Sequence, residues 1–265
     1  YIMAKGEIST DMFIATFAVL LVAMGVSTLN QVQEYKEDAL MQRTKHRPIA
    51  SGKLSRTTGI IIAAILTMLS LVIIYDLLGM IGVNLFLFAF IWYNLVYTPL
   101  KKTSALAVVP GAILGVIPPA IGWLAAGHAL GEVEFFALGM YYFIWQIPHY
   151  WLLVMLHYGG YKDAGYPTVM RLFGQDSLQR LTFVWLMMSI MTGFFMVDVF
   201  NPQNIFVIIM LIVTAIFGFV SSLKLLQKNF ELTDARSVFW KINLAFLGAV
   251  ILLSIEEMIQ FNALS

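Results

Sequence analysis

The sequence predicts an all-α fold, a polytopic transmembrane helical bundle around a central cavity. Three observations carry this. Of the 265 residues, 60% are hydrophobic and only 12% are charged, about half the roughly 25% of a soluble domain. Apolar runs close to the ~20 residues needed to cross a bilayer recur along the whole chain. The charges between those runs also alternate in sign from one connection to the next.

The runs lie at roughly 11–29, 57–75, 82–98, 105–126, 134–156, 180–198, 204–223 and 241–258, so about eight spans are expected. The first has polar flanks and reads as a span, not a cleavable leader. The fourth holds Pro110, Pro118 and Pro119 among several glycines, which should kink or break it. In a membrane such backbone survives only where protein or a cavity surrounds it.

Lys36, Arg43, Lys45, Arg47, Lys53, Arg56, Lys101, Lys102, Lys162, Arg171, Arg180, Lys224, Lys228, Arg236 and Lys241 all fall on alternate connections. Lys5 falls opposite, among Glu7, Asp11, Asp76, Glu132, Glu134, Asp198, Glu256 and Glu257. The positive-inside rule makes the basic side cytoplasmic and puts both chain ends outside. The long cytoplasmic connections are then 30–56, 157–179 and 224–240. With no cysteine, disulfide and thiolate chemistry are excluded. The bilayer is the expected surroundings, and no nucleic-acid partner is expected. A transporter would carry an intramembrane ionisable pair, which the spans lack.

The connection from Asn30 to Arg56 is the longest polar passage. Asn30, Glu34 and Asp38 are four residues apart, which on a helix places them on one face. An amide and two carboxylate oxygens suit Mg2+, which takes one or two carboxylates plus phosphate and water. Arg43, Lys45, Arg47 and Lys53 follow and suit an anion, as do Lys101 and Lys102 in the next basic connection. A solvated juxtamembrane helix and a headgroup-binding basic cluster fit the same residues, so both readings stay open here.

The fifth run ends in Trp145, Gln146, Pro148, His149, Tyr150 and Trp151. His149 and His157 are two turns apart on a helix, and either suits a metal or a haem iron. Gly159, Gly160 and Gly165 with Pro167 predict a turn after them. Asp163 is the carboxylate between His157 and Arg171, and Lys162 and Arg171 suit phosphate oxygens.

Four stretches carry a resemblance. The run from Asn30 to Gly52, NQVQEYKEDALMQRTKHRPIASG, resembles the first acidic motif of the UbiA superfamily of intramembrane prenyltransferases. Tyr97 to Thr103, Gly115 to Gly127, and Trp145 to Trp151 with Ala164 to Pro167 are similar to further family motifs. Within the superfamily they are most like the branch of protoheme IX farnesyltransferases (haem O synthases). The similarity runs in order from about Tyr1 to Arg180.

The resemblance implies a nine-helix bundle in which two acidic motifs face each other and hold Mg2+-diphosphate. It implies farnesyl transfer from farnesyl diphosphate to a vinyl group of haem B. Asn30, Glu34, Asp38, Arg43 and Arg47 would be catalytic, with Asn30, Glu34, Asp38 and Asp163 on the metal. Lys45, Lys53, Lys101, Lys102, Lys162 and Arg171 would hold diphosphate, and His149 and His157 haem. Trp92, Tyr93, Tyr97 and Trp145 would face the allylic cation. The partners expected are farnesyl diphosphate, haem B, the bilayer and haem-copper oxidase assembly factors. The location expected is the inner membrane of a bacterium or archaeon. Residues 1–265 would form one domain beginning near the end of the family's first helix.

The chain departs from the family at three places. Glu34 and Lys36 stand where aspartates are usual, and the second motif's aspartate is missing around Gly159, Gly160 and Tyr161. Asp163 would substitute from a shifted position. The degraded motif leaves open a catalytically degenerate member that binds haem or lipid as an assembly partner. Prenyl transfer to an aromatic quinone precursor is the remaining alternative.

Overall fold

The computed structural model describes residues 1–264. It is helical, with no strand among the described residues. Six helices are long and apolar enough to cross a membrane: Thr10–Gln33, Arg56–Thr103, Val108–Ala125, Gln175–Phe200, Ile205–Leu226 and Thr233–Ala263. The second of these is not straight. Gly79 has φ 60° and ψ −148°, a conformation open to glycine because it lacks a Cβ. Past it, Gly82 packs against the side chain of Ile74. Eight residues along a straight helix would separate them by about 12 Å, so the chain doubles back at Gly79. Val133–Leu156 is a further helix of 24 residues, less apolar because it carries the Trp145 to Trp151 stretch. With the two arms of the bent helix taken separately, the described residues form eight long rods, as the hydropathy predicts.

The outer surface of these rods is apolar. Phe13, Phe17, Ile65, Met68, Val72, Met191, Phe206, Val213 and Leu247 are all exposed. An apolar belt of this kind is the surface that lipid covers. Between the rods, small residues let backbones approach, since close packing rather than water exclusion joins helices in lipid. Gly25 is the tightest case: a Cβ there would lie 2.5 Å from Thr67 Oγ1 and 3.1 Å from the Ala63 carbonyl. That crossing locks the first rod to the second. Ala18, Val22, Ile74, Phe86 and Ile121 fill the core beside it. Two more clusters centre on Trp123, Tyr141 and Phe246, and on Ile147, Trp151, Leu178 and Val238.

The Pro/Gly-rich fourth rod breaks as expected. It runs as α-helix over Val108–Gly111, tightens to 3-10 over Ala112–Val116, and resumes as α-helix over Ile117–Ala125. Just before it, Trp92–Tyr97 widens to a π turn. Pro99, which has no N–H to give the carbonyl four residues back, follows that turn. Such bulges cluster at functional sites.

Three expectations need correction. The 224–240 connection shortens to a few residues, because the last helix begins at Leu232. Lys224 pairs with Asp234 at 3.0 Å and the Glu231 amide donates to Asp234 Oδ2 at 3.1 Å, which closes that turn early. Gly159 and Gly160 lie within a short helix, Tyr158–Asp163, and the turn comes instead at Gly165 with φ 77°. The first acidic stretch is not one continuous helix. Thr10–Gln33 ends at Glu34 (φ −115°, ψ 17°), and a second helix, Tyr35–Leu40, starts there.

At one end of the bundle, Gln203 and Asn204 amides donate to the buried Glu256, and Gly6 packs on Phe261. At the other end the connections 34–55, 101–107 and 157–174 meet. The site lies there.

Candidate functional site: a polar cavity at one end of the bundle

The bend at Glu34 does not scatter the three polar side chains. The Glu34 amide donates to the Asn30 carbonyl at 2.9 Å, and the Asp38 amide to the Glu34 carbonyl at 2.8 Å. The i to i+4 links run through the break, so Asn30, Glu34 and Asp38 stay on one side. They line a cavity of about 1100 Å³. All three are buried, Glu34 at 3% and Asp38 at 1% exposure. A buried carboxylate is tolerated only when paired and hydrogen-bonded, and each of these is.

Glu34 Oε2 accepts from Asn30 Nδ2 at 2.9 Å and from the Lys101 ammonium. Its Oε1 accepts from the Tyr166 hydroxyl at 2.8 Å. Arg47 Nη1 donates to both Asp38 oxygens, at 3.0 and 2.8 Å. Thr44 sets that pair: its hydroxyl donates to the Asp38 carbonyl, and its own carbonyl accepts from the Arg47 amide. The turn from Met41 to Arg47 therefore folds the guanidinium back over the acid.

Asn30 donates its amide hydrogens to Glu34 and to Thr98 Oγ1 at 3.1 Å. No described group donates to its Oδ1. The cavity thus presents one free amide oxygen beside two carboxylates. These hard donors fit Mg2+. Among the described residues no three of His, Cys, Asp and Glu converge on a metal position. The open positions would go to phosphate and water, as magnesium usually has it.

The structure sorts the expected anion ligands. Arg43, Arg47 and Lys101 line the cavity. Lys101 also lies over the rings of Tyr97 and Tyr166, 5.6 and 6.0 Å from their centroids. Lys102 is turned to the surface, where it pairs with Glu37 at 2.6 Å. Burial raises the Glu37 carboxyl, but the Lys102 hydrogen bond and the charges of Lys102 and Lys101 lower it by more, leaving it below the ordinary range. Lys45, Lys53, Lys162 and Arg171 do not line the cavity, and Lys53, Lys162 and Arg171 are exposed. Asp163 is exposed and outside it too, because the Tyr158–Asp163 helix presents Tyr161 to the cavity instead.

His149 lines the cavity and His157 does not. The helix ends at Leu156, and His157 caps it outside the cavity. Burial first, then the charges of Arg43 and Arg236, hold the His157 pKa below its usual value. Of the four expected aromatics, Tyr93 and Tyr97 face the cavity. Trp92 is turned away and donates to the Pro110 carbonyl at 2.9 Å. Trp145 lines a neighbouring apolar chamber of about 980 Å³ and stacks on Phe246 at 4.0 Å.

Tyr166, Tyr150, Tyr161 and Gln146 also line the cavity, and the sequence gives none of them a role. Tyr166 sits in the Ala164 to Pro167 motif, which was the available signal. Burial first, then the Glu34 charge, push its pKa far up, so it stays a neutral donor. Gly115 makes room for Gln146, since a methyl there would collide with Gln146 Oε1.

The UbiA prenyltransferase family matches residues 1–247. The chain is 36% identical over 167 residues to a protoheme IX farnesyltransferase of Oleidesulfovibrio alaskensis, covering 63% of this chain and 59% of that protein. It is 40% identical over 162 residues to one of Geobacter sulfurreducens, covering 59% and 57%. The chain thus spans under two thirds of the length of these relatives. Among solved structures, a digeranylgeranylglyceryl phosphate synthase superposes with a TM-score of 0.74 at 16% identity, over 97% of this chain and 90% of that one. A UbiA homolog from Archaeoglobus fulgidus bound to GPP and Mg2+ gives 0.63 at 12% identity, over 95% and 90%. At these identities the structures show a shared fold.

Proposed function

The chain belongs to the UbiA prenyltransferase family, and from that membership we propose that it transfers a farnesyl group from farnesyl diphosphate to a vinyl group of haem B. It is an integral multi-pass membrane protein. The observation that carries the reading is the cavity, with Asn30, Glu34 and Asp38 on one wall and Arg43, Arg47, Lys101 and His149 around them. The kinship to protoheme IX farnesyltransferases supports the acceptor.

The chain's residues would act as follows. Asn30, Glu34 and Asp38 would hold Mg2+, which supplies positive charge to the diphosphate when bound. Arg43, Arg47 and Lys101 add fixed cations where the leaving group gains charge. The allylic C–O bond breaks and its electron pair leaves with diphosphate. The π electrons of the vinyl group then form the new C–C bond, water adds to the resulting cation, and a proton is lost. Tyr93 and Tyr97, which line the cavity, would stabilise the allylic cation by cation–π attraction, about 1–2 kcal/mol each when desolvated. The bundle keeps bulk water from that cation until the bond has formed. The positive-inside rule, applied to the basic connections, supports a cytoplasmic face for this end of the bundle.

A second reading has its own support. Both cavity carboxylates are already paired with side-chain cations, and Asp163 is outside. A non-catalytic member that binds haem would look like this. Incubation of the purified protein with haem B, farnesyl diphosphate and Mg2+, followed by mass spectrometry, separates the two. Farnesylated haem supports transfer, and haem bound without product supports the second reading.

A further inference from the structure

We infer that Asn243 is a positioning residue that sets His149 as the ligand to the iron of a haem in the cavity. The inference rests on the haem reading above. His149 Nδ1 lies 2.8 Å from Asn243 Oδ1. Asn243 Nδ2 donates to the Phe239 carbonyl at 2.6 Å, so the amide oxygen is the atom turned to the ring. An amide oxygen only accepts, and the proton between the two groups therefore sits on Nδ1. A neutral imidazole with Nδ1–H carries its lone pair on Nε2. No described group donates to that Nε2, and His149 lines the polar cavity.

The ring is also held in place. Trp145 packs against it at 4.6 Å between centroids and Phe239 at 4.9 Å. Trp145 is itself stacked on Phe246. Phe239, Asn243 and Phe246 all lie on the last helix, so one element fixes tautomer and orientation together. An imidazole that gives Nδ1–H to a carbonyl and keeps Nε2 free is the arrangement metal-binding histidines adopt. Imidazole nitrogen suits iron. His157 lies outside the cavity, and His149 is the histidine that lines it.

The test uses the full chain in detergent or nanodiscs, titrated with ferric haem B. The readouts are the absorption and electron paramagnetic resonance spectra and the iron midpoint potential. Wild type should give an imidazole-ligated spectrum. His149→Gly should lose it, and free imidazole should restore it, which also shows that the variant is folded. Asn243→Asp should lower the midpoint potential, because a carboxylate on Nδ1–H makes the imidazole a stronger donor. Asn243→Leu should raise it. Haem bound by His149→Gly with an unchanged spectrum would overturn the ligand assignment. Equal shifts in the same direction for both Asn243 variants would overturn the positioning role. In either case the haem reading would stand. No haem binding by wild type would remove that reading and this inference with it.

Discussion

The Tyr166 hydroxyl donates to Glu34 Oε1 at 2.8 Å across 132 positions of sequence. This bond joins the Ala164 to Pro167 turn to the first acidic stretch, so the two connections form one wall of the cavity. A hydrogen bond to a buried charge contributes about 1.5–3 kcal/mol. Tyr166→Phe should therefore lower kcat/KM for the proposed farnesyl transfer by roughly one to two orders of magnitude. A steady-state assay with a full-length product standard reads this, and an unchanged value would show that the bond does not support the site.

Lys101 already holds Glu34, so Mg2+ bound as proposed would compete with it. Lys101→Met removes the partner of a buried carboxylate, a change that costs about 3–5 kcal/mol. The unfolding midpoint should fall, and Mg2+ should restore part of it. The Mg2+ stabilisation should exceed that of wild type. Thermal unfolding with and without Mg2+ checks it, and equal Mg2+ effects in both proteins would argue against a shared position.

Asp38 and Arg47 act as a unit at the cavity wall. Asp38→Ala and Arg47→Ala should each abolish turnover while far-ultraviolet circular dichroism stays helical. Wild-type rates in both variants would mean that the reaction occurs elsewhere.

Asp163 and Lys162 are exposed and outside the cavity. Surface substitutions of this kind usually change free energies by no more than ~0.5 kcal/mol. Asp163→Ala and Lys162→Ala should keep Mg2+ binding and turnover within roughly twofold of wild type. Loss of Mg2+ binding in Asp163→Ala would return this residue to the metal site.

His157 gives the acid side a handle. Its folded pKa is held below the unfolded value of about 6.5 by burial and by Arg43 and Arg236. The unfolded chain therefore binds the proton more readily. The contribution to stability is full above about pH 6.5 and is lost as pH falls through the folded pKa. Wild type should lose more thermal stability than His157→Gln between pH 7 and pH 5. The same slope in both proteins would show that His157 carries no such linkage.

Much of the bundle was legible in the residues because hydropathy is a local property. The runs at 11–29 and 134–156 fall inside helices of nearly those bounds, and the run at 204–223 begins one residue before its helix. The runs at 180–198 and 241–258 fall short. The polar first turns from Gln175 and Leu232 remain helical: Gln175 donates to the Phe230 carbonyl at 3.3 Å and Asp234 pairs with Lys224, contacts that hydropathy does not register. The spacing of Asn30, Glu34 and Asp38 also survived, although its helix did not. The i to i+4 hydrogen bonds carry through the bend and need no straight axis.

What the sequence alone determined is therefore the number of rods, the gathering of polar groups at one end, and the first wall of the cavity. Each follows from neighbours a few residues apart. Only the tertiary structure decided which cations face inward. Lys101 and Lys102 are adjacent and chemically identical, yet one meets Glu34 and the other Glu37 at the surface. Tyr166 at Glu34 and Asn243 at His149 were equally hidden, because the partners are 132 and 94 residues apart. A side chain's direction depends on which helices close around it, and no local pattern encodes that packing.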